Sequence, residues 1–177
     1  MLVQLWGDIT LNNCNPKHLE DIINKLKLSG AKISSTENSL SIEKIDSVEA
    51  VDMTTEVYPG FPTDLQAQWM AFMSIANGKS TIIDTVYHDR FTHIPELNRL
   101  GADIRLTDNK ATVNGVRKLT GAQVMSTDIR ASAALILGAI IAEGKTEISR
   151  VYHIDRGYDS IEKKFQSLGA DIARINE

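Results

Sequence analysis

The 177-residue sequence has a single cysteine, Cys14, so no disulfide can close within the chain, and this usage fits a reducing compartment. Proline is scarce at four residues and glycine stands at eleven, which excludes a collagen-like or proline-rich disordered chain. No run approaches the roughly 20 apolar residues needed to span a membrane. The longest apolar stretch, around Ala131 to Ala142, is broken by Ser132 and Gly138 and followed by Glu143. Met1 is followed by neither a basic segment nor a cleavable apolar one, so no signal peptide is expected. There is no G-x-G-x-x-G, no phosphate-binding loop and no G-x-S-x-G. His88, His93 and His153 make no metal-ligand spacing with the cysteine, and the sequence calls for neither a metal nor another cofactor. A net charge of -4 argues against a broad nucleic-acid footprint. What is left is a globular composition, 42% apolar and 24% charged, with the length of one domain or two small ones.

The chain repeats itself. Leu100-Gly101-Ala102-Asp103-Ile104 recurs as Leu168-Gly169-Ala170-Asp171-Ile172, with a looser copy at Ser29-Gly30-Ala31-Lys32-Ile33. A second marker runs Gly7-Asp8-Ile9-Thr10, then Gly78-Lys79-Ser80-Thr81-Ile82, then Gly144-Lys145-Thr146-Glu147-Ile148. Thr63-Asp64-Leu65 pairs with Thr127-Asp128-Ile129, and Val86-Tyr87-His88-Asp89-Arg90 pairs with Val151-Tyr152-His153-Ile154-Asp155-Arg156. Four markers in constant order define a unit.

Between residues 47 and 116 the unit is complete. A strand over Ala50 to Val57 leads through the turn Tyr58-Pro59-Gly60-Phe61-Pro62 into a helix from about Asp64 to Asn77. Leu65, Trp69, Phe72, Met73 and Ala76 fall on one face of that helix and are expected in the core, as are Ile129, Ala133, Ile136, Leu137 and Ile140 of the next copy. Gly78 and Gly144 suit the position just past each helix end. A strand over Ser80 to Val86, a shorter helix ending at Leu100-Gly101, and strands near Asp103 to Thr107 and Ala111 to Val116 follow. The pattern is β-α-β-α-β-β, which gives an α/β or α+β class with mixed sheets. Residues 1–46 and 117–177 read as partial units. The first begins at the tail of its first helix, Met1 to Trp6, and the third stops after Asp171-Ile172-Ala173-Arg174-Ile175 without a closing strand. Such a chain should expose strand edges and an uncovered apolar face.

The repeats single out charged residues. Thr63-Asp64-Leu65-Gln66 has the form of a capping box, and Asp128 also follows a threonine at a helix start. Equivalent corners of repeated units can also converge on one cleft, where a carboxylate takes a proton from a sugar hydroxyl. Arg130 sits near a helix N-terminus, where a cation is unfavourable unless an anion or carboxylate is present. Arg156, and more weakly Arg90, are further candidates for gripping an anion. Each arginine can equally be a surface charge, or an ion pair with Asp128 or Asp155. His153 is expected to hydrogen-bond structurally, Gly157 to permit a tight turn, and Cys14 to be a small buried residue without a base beside it.

Pro59-Gly60-Phe61-Pro62-Thr63-Asp64-Leu65-Gln66-Ala67-Gln68 closely resembles a segment of the UDP-N-acetylglucosamine enolpyruvyl transferases (1-carboxyvinyltransferases). So do Gly121-Ala122-Gln123-Val124-Met125-Ser126-Thr127-Asp128-Ile129-Arg130-Ala131-Ser132 and Tyr152-His153-Ile154-Asp155-Arg156-Gly157-Tyr158. The resemblance runs through the whole chain and covers only the C-terminal part of that enzyme. It implies a cytoplasmic enzyme of peptidoglycan synthesis and cell wall biogenesis, with its links to cell shape, cell cycle and division. The reaction moves the enolpyruvyl group of phosphoenolpyruvate onto the 3-hydroxyl of UDP-N-acetylglucosamine and releases phosphate. It also implies two domains, each an inside-out barrel of three units with helices inside and sheets outside, and substrates between them.

Carried over by position, Asp64 would contact the sugar hydroxyl as general base, and Val86 would contact the UDP-sugar through its backbone. Asp128 would lie beside the reacting carbons, while Arg130 and Arg156 would hold the anionic groups of phosphoenolpyruvate. The first domain is absent, and with it the family's cysteine acid and N-terminal lysine. The third unit's closing strand, which in the family comes from the N-terminal segment, is absent too. The chain alone is therefore expected to be inactive unless another chain complements it. Two other readings stand beside this one: a non-catalytic fragment that keeps only UDP-sugar contacts, and a shikimate-type enolpyruvyl transferase fragment, which shares the fold but fits the two Thr-Asp segments less well.

Overall fold

The structure is a computed structural model that describes residues 7–175. Strands β1 (Ile9–Asn12), β2 (Lys32–Ser35) and β3 (Ser39–Glu43) form an antiparallel sheet in the order β1-β3-β2, with helix α1 (Glu20–Leu28) between β1 and β2. The second sheet holds β4 (Met53–Thr55), β5 (Lys79–Asp84), β6 (Asp103–Thr107) and β7 (Lys110–Asn114) in the order β4-β5-β7-β6. Its β4-β5 pair is parallel and the others antiparallel. Helix α2 (Gln66–Met73) connects β4 to β5, and α3 (Ile94–Arg99) connects β5 to β6. The third sheet is the parallel pair β8 (Gln123–Met125) and β9 (Glu147–Ser149), joined by α4 (Ile129–Ile141) and followed by α5 (Tyr152–Asp155) and α6 (Ile161–Ser167). Residues 53–114 thus realise β-α-β-α-β-β in full. Residues 171–175 follow α6 as β6 follows α3, but pair with no strand among the described residues. The expected helix tail at Met1 to Trp6 lies outside the described residues.

The Leu-Gly-Ala-Asp-Ile marker proves to be a helix stop. Gly30, Gly101 and Gly169 have φ of 99, 90 and 89°, and each follows the last residue of α1, α3 or α6 by one cap position. The next residue's N–H reaches back five residues, the 6→1 bond of the Schellman motif: Ala31 to Leu26 O (2.9 Å), Ala102 to Leu97 O (3.2 Å), Ala170 to Phe165 O (3.0 Å). An L side chain is strained at such a φ, which explains the glycine at each copy. Gly78 and Gly144 do not do this job. α2 ends at Met73, five residues before Gly78 (78−73), and α4 ends at Ile141 with Ala142 as its cap. The expected helix over Asp64 to Asn77 shortens because Thr63–Leu65 is a 3-10 turn and Ile75 and Ala76 close on i−3 carbonyls. The strands expected over Ala50 to Val57, Ser80 to Val86 and Ala111 to Val116 begin or end within a few residues of β4, β5 and β7, β4 being the shortest.

The core is helical at its centre. α2 packs against α4 on one side and against β5 and β7 on the other, so all eight of its residues are buried. The single apolar face expected for it is too narrow, because a helix covered on both sides needs small or apolar residues all round. Trp69 stands edge-on to both Phe61 and Phe72, with centroids 5.5 and 5.6 Å apart. α4 divides its burial. Ala134 and Leu135 join the main core, whereas Ala133, Ile136 and Ile140 meet Ile154 and Ile161 in a separate cluster under α5 and α6. At Gly115 a Cβ would lie 1.6 Å from the Ala76 carbonyl oxygen, so the chain leaving β7 crosses the tail of α2 at backbone contact.

Candidate functional site

The start of α2, the turn after β5 and the start of α4 converge. Asp64 lies in the 3-10 turn ahead of α2, and its side chain is 68% exposed. Its Oδ1 accepts from Arg90 Nη1 at 2.9 Å and from Arg130 Nε at 2.6 Å. Its Oδ2 accepts nothing among the described residues. Arg90, 15% exposed, also donates to Thr63 Oγ1 at 3.0 Å and lies over the Tyr87 ring, 4.2 Å from its centroid. Arg130 joins the two Thr-Asp markers: its guanidinium reaches Asp64, and its backbone N–H donates to Asp128 Oδ1 at 2.7 Å.

The two aspartates behave differently. Asp128 is a true N-cap, with its carboxylate accepting from the N–H groups of Arg130 and Ala131 while Thr92 Oγ1 donates to Oδ2 at 3.3 Å. Burial opposes its ionisation, but those hydrogen bonds and the charge of Arg130 outweigh burial and hold it below the usual aspartate range. The expected capping box at Thr63 is absent. Thr63 donates to Asp84 Oδ2 at 2.7 Å instead, and both polar atoms of the buried Gln66 side chain lack partners. Asp128→Ala should therefore cost about 0.5–2 kcal/mol, and Asp64→Ala no more than about 1 kcal/mol, as for an exposed ion pair. Urea midpoints of the two variants check this, and equal losses would refute it.

The other predicted residues are placed as follows. Val86 is 38% exposed; its N–H donates to Asp84 Oδ1 at 3.0 Å, and its carbonyl accepts no hydrogen bond among the described residues. Arg156 caps α5 and is exposed, and its guanidinium makes no hydrogen bond or ion pair among the described residues. Asp155 is gripped by Arg174 at 2.6 and 2.9 Å, so it is not the partner of Arg156. Gly157 has no left-handed backbone. Its place is set by Ile129, whose Cδ1 would lie 2.3 Å from an added Cβ, and this contact seats the Arg156 segment against the first turn of α4. The His153 ring makes no hydrogen bond among the described residues and lies against Tyr152, with centroids 4.3 Å apart, while its backbone N–H donates to the Arg150 carbonyl at 3.3 Å. Cys14 is half-buried, with Sγ 3.6 Å from the Leu11 carbonyl.

Two residues of this region escaped sequence reasoning. Asp84, fully buried, accepts from Thr55, Thr63, Val86 and Tyr87. Burial works against its charge, but these donors win and lower its pKa. Its signal was there: Ser80, Ile82 and Asp84 alternate inward along β5, and a carboxylate on a core face needs donors. His93 at the start of α3 is 2% exposed, and its Nε2 is buried without a partner. Burial lowers its pKa to about 4 against the opposing pull of Asp128. A cavity of about 690 Å³ opens at the far ends of α2 and α4, between Asn77, Gly115 and Glu143, and contains none of the predicted site residues. Among the described residues no group of three or more His, Cys, Asp or Glu could hold a metal, and no helix is long and apolar enough to cross a membrane.

Residues 3–165 match the family described as EPSP synthase (3-phosphoshikimate 1-carboxyvinyltransferase). UDP-N-acetylglucosamine 1-carboxyvinyltransferase of Chlorobium chlorochromatii (strain CaD3) is 54% identical over 168 residues, 95% of this chain and 40% of the relative. The protein of that name from Chloroherpeton thalassium is 53% identical over 168 residues, 95% of this chain and 39% of its own length. The enolpyruvyl transferase NikO from Streptomyces tendae superposes with a TM-score of 0.86 at 23% identity, over 97% of this chain and 41% of that one. An EPSP synthase from Acinetobacter baumannii superposes with a TM-score of 0.73 at 14% identity, over 97% and 40%. At such identities the superpositions speak for the fold, which is that of the enolpyruvyl transferases. The chain spans about 40% of the length of the curated relatives it matches.

Proposed function

The chain belongs to the EPSP synthase family of 1-carboxyvinyltransferases, and on that premise we propose that it builds one wall of a site that transfers the enolpyruvyl group of phosphoenolpyruvate to the 3-hydroxyl of UDP-N-acetylglucosamine. The amino-sugar substrate is favoured over a shikimate one by the names of the relatives at 50–54% identity. Residues 1–46, 47–116 and 117–177 are its three units, a division supported by the three sheets falling within those bounds.

The observation that carries the chemistry is the state of Asp64: one oxygen held by two guanidiniums, the other open. A carboxylate fixed in that way can take the proton of the sugar hydroxyl as its oxygen bonds to C2 of phosphoenolpyruvate. An acid delivers a proton to the methylene carbon, and a tetrahedral adduct forms. Loss of phosphate and of a proton from that carbon, by then a methyl group, restores the enol ether. Arg130 and Arg156 supply fixed positive charge for the carboxylate and phosphate, and Asp128 stands beside the reacting carbons. The Val86 carbonyl meets the UDP-sugar. The acid itself belongs to the portion of the enzyme outside this chain.

The test is reconstitution. The chain alone, given both substrates, should release no phosphate. The chain combined with the N-terminal portion of the Chlorobium chlorochromatii relative should do so only when UDP-N-acetylglucosamine is present. Phosphate release by the chain alone refutes its dependence on a complement, and no turnover from the combined, folded protein refutes the transferase reading.

A further inference from the structure

We propose that Asp84 is a positioning residue for the base, acting through Thr63 and Arg90 to fix the Asp64 carboxylate; the functional half of this inference rests on the transferase reading above. Asp84 is a carboxylate on the core face of β5, with no exposed surface and, among the described residues, no cation touching it. Its four donors come from two places. Thr55 (2.7 Å to Oδ1) is the last residue of β4, just before the loop 56–62, and Thr63 (2.7 Å to Oδ2) is the first residue after that loop. The N–H groups of Val86 and Tyr87 (3.0 and 2.7 Å to Oδ1) belong to the turn that leads to Arg90. One side chain therefore closes the base of the loop and fixes the adjoining turn.

The direction of the hydrogen bonds matters as much as their number. An ionised carboxylate only accepts. The single proton of the Thr63 hydroxyl is therefore pinned toward Asp84, and its lone pairs face Arg90, which donates to it at 3.0 Å. The same Nη1 then donates to Asp64 Oδ1 at 2.9 Å. Asp84, Thr63, Arg90 and Asp64 form one polarised chain, with a buried negative end that orients every donor between it and the base. An amide at position 84 offers Thr63 a donor instead, and the order of the chain is lost.

The third unit shows why the device is present in the second alone. Arg150 stands where Asp84 does, six residues past the marker glycine in each copy (84−78, 150−144). There Ser126 and Thr127 are adjacent, whereas Thr55 and Thr63 are separated by the seven-residue loop. Without a loop, Asp128 rests directly on the helix as its N-cap. The loop lifts Asp64 off that seat, and Asp84 supplies the replacement anchor.

Thr63→Val and Thr55→Val each remove one hydroxyl from the same carboxylate, one on the path to Asp64 and one off it. In the reconstituted enzyme Thr63→Val should lower kcat by about 10–100-fold with little change in KM for UDP-N-acetylglucosamine. Thr63→Ser should recover most of that loss, and Thr55→Val should keep kcat close to the unsubstituted value. Asp84→Asn should follow Thr63→Val; should it fail to fold, the threonine set still decides. Equal kcat for the two valine variants, or no rescue by serine, overturns the proposal. A readout on the chain itself separates this from failure of the transferase reading. The slowly rotating guanidinium NH signals of Arg90 in NMR spectra should persist in Thr55→Val and vanish in Thr63→Val, and their survival in Thr63→Val overturns the proposal even if no turnover is ever seen.

Discussion

Asp64→Asn in the reconstituted enzyme is expected to lower kcat by about 10²–10⁴-fold, the range lost with a general base. The substitution is nearly isosteric. Its carbonyl oxygen can still accept from Arg90 and Arg130, so both arginines keep their positions and the binding of phosphoenolpyruvate should be retained. What changes is the second atom, which becomes an NH₂ donor where an open acceptor stood. The loss should therefore fall on kcat, with thermal unfolding almost unmoved because Asp64 is 68% exposed and caps no helix. Phosphate release measured at saturating substrates checks this, and unimpaired turnover would remove Asp64 from the mechanism.

The second large effect concerns His93 and acid. Its pKa is about 4 in the folded chain and near its ordinary 6.5 when unfolded. The unfolded state thus takes up the proton first as pH falls. Stability is full above about pH 6.5 and declines by about 3 kcal/mol toward pH 4. Below that, the lowered values of Asp84 and Asp128 add a further loss, since their stabilisation is present above the unfolded aspartate value and disappears as pH drops through the folded one. Urea midpoints at pH 7, 5.5 and 4.5 measure the slope. His93→Gln, which cannot take the proton, should flatten it above pH 4, and an equal slope in both proteins would refute the assignment.

Much of this was legible from the repeats. Recurrence placed the shorter helix ends, and Gly101 and Gly169 mark them in the structure. It also singled out Asp64 and Arg130, which touch, and Arg90, the weakest candidate, which holds Asp64 as well. What the pattern hid is what depends on distant chain segments. Whether a Thr-Asp pair caps its helix depends on the seven-residue loop before it, and on whether a buried acid 20 residues later (84−64) claims the threonine. Full burial of α2 depends on α4 arriving on its second side. The role of Gly157 lies in a contact with Ile129, 28 residues upstream (157−129). Arg156 shows the limit of position-by-position transfer: its address is legible, but nothing within the described chain engages its guanidinium.

The loop that Asp84 closes carries Val57 and Tyr58 at its tip, 78% and 73% exposed, and its two feet are tied to one carboxylate. A segment anchored in that way can change in length or composition at its summit without tilting what its feet support. The third unit manages with no such segment at all. Variation at that summit would thus leave the Asp64 carboxylate where its neighbours hold it.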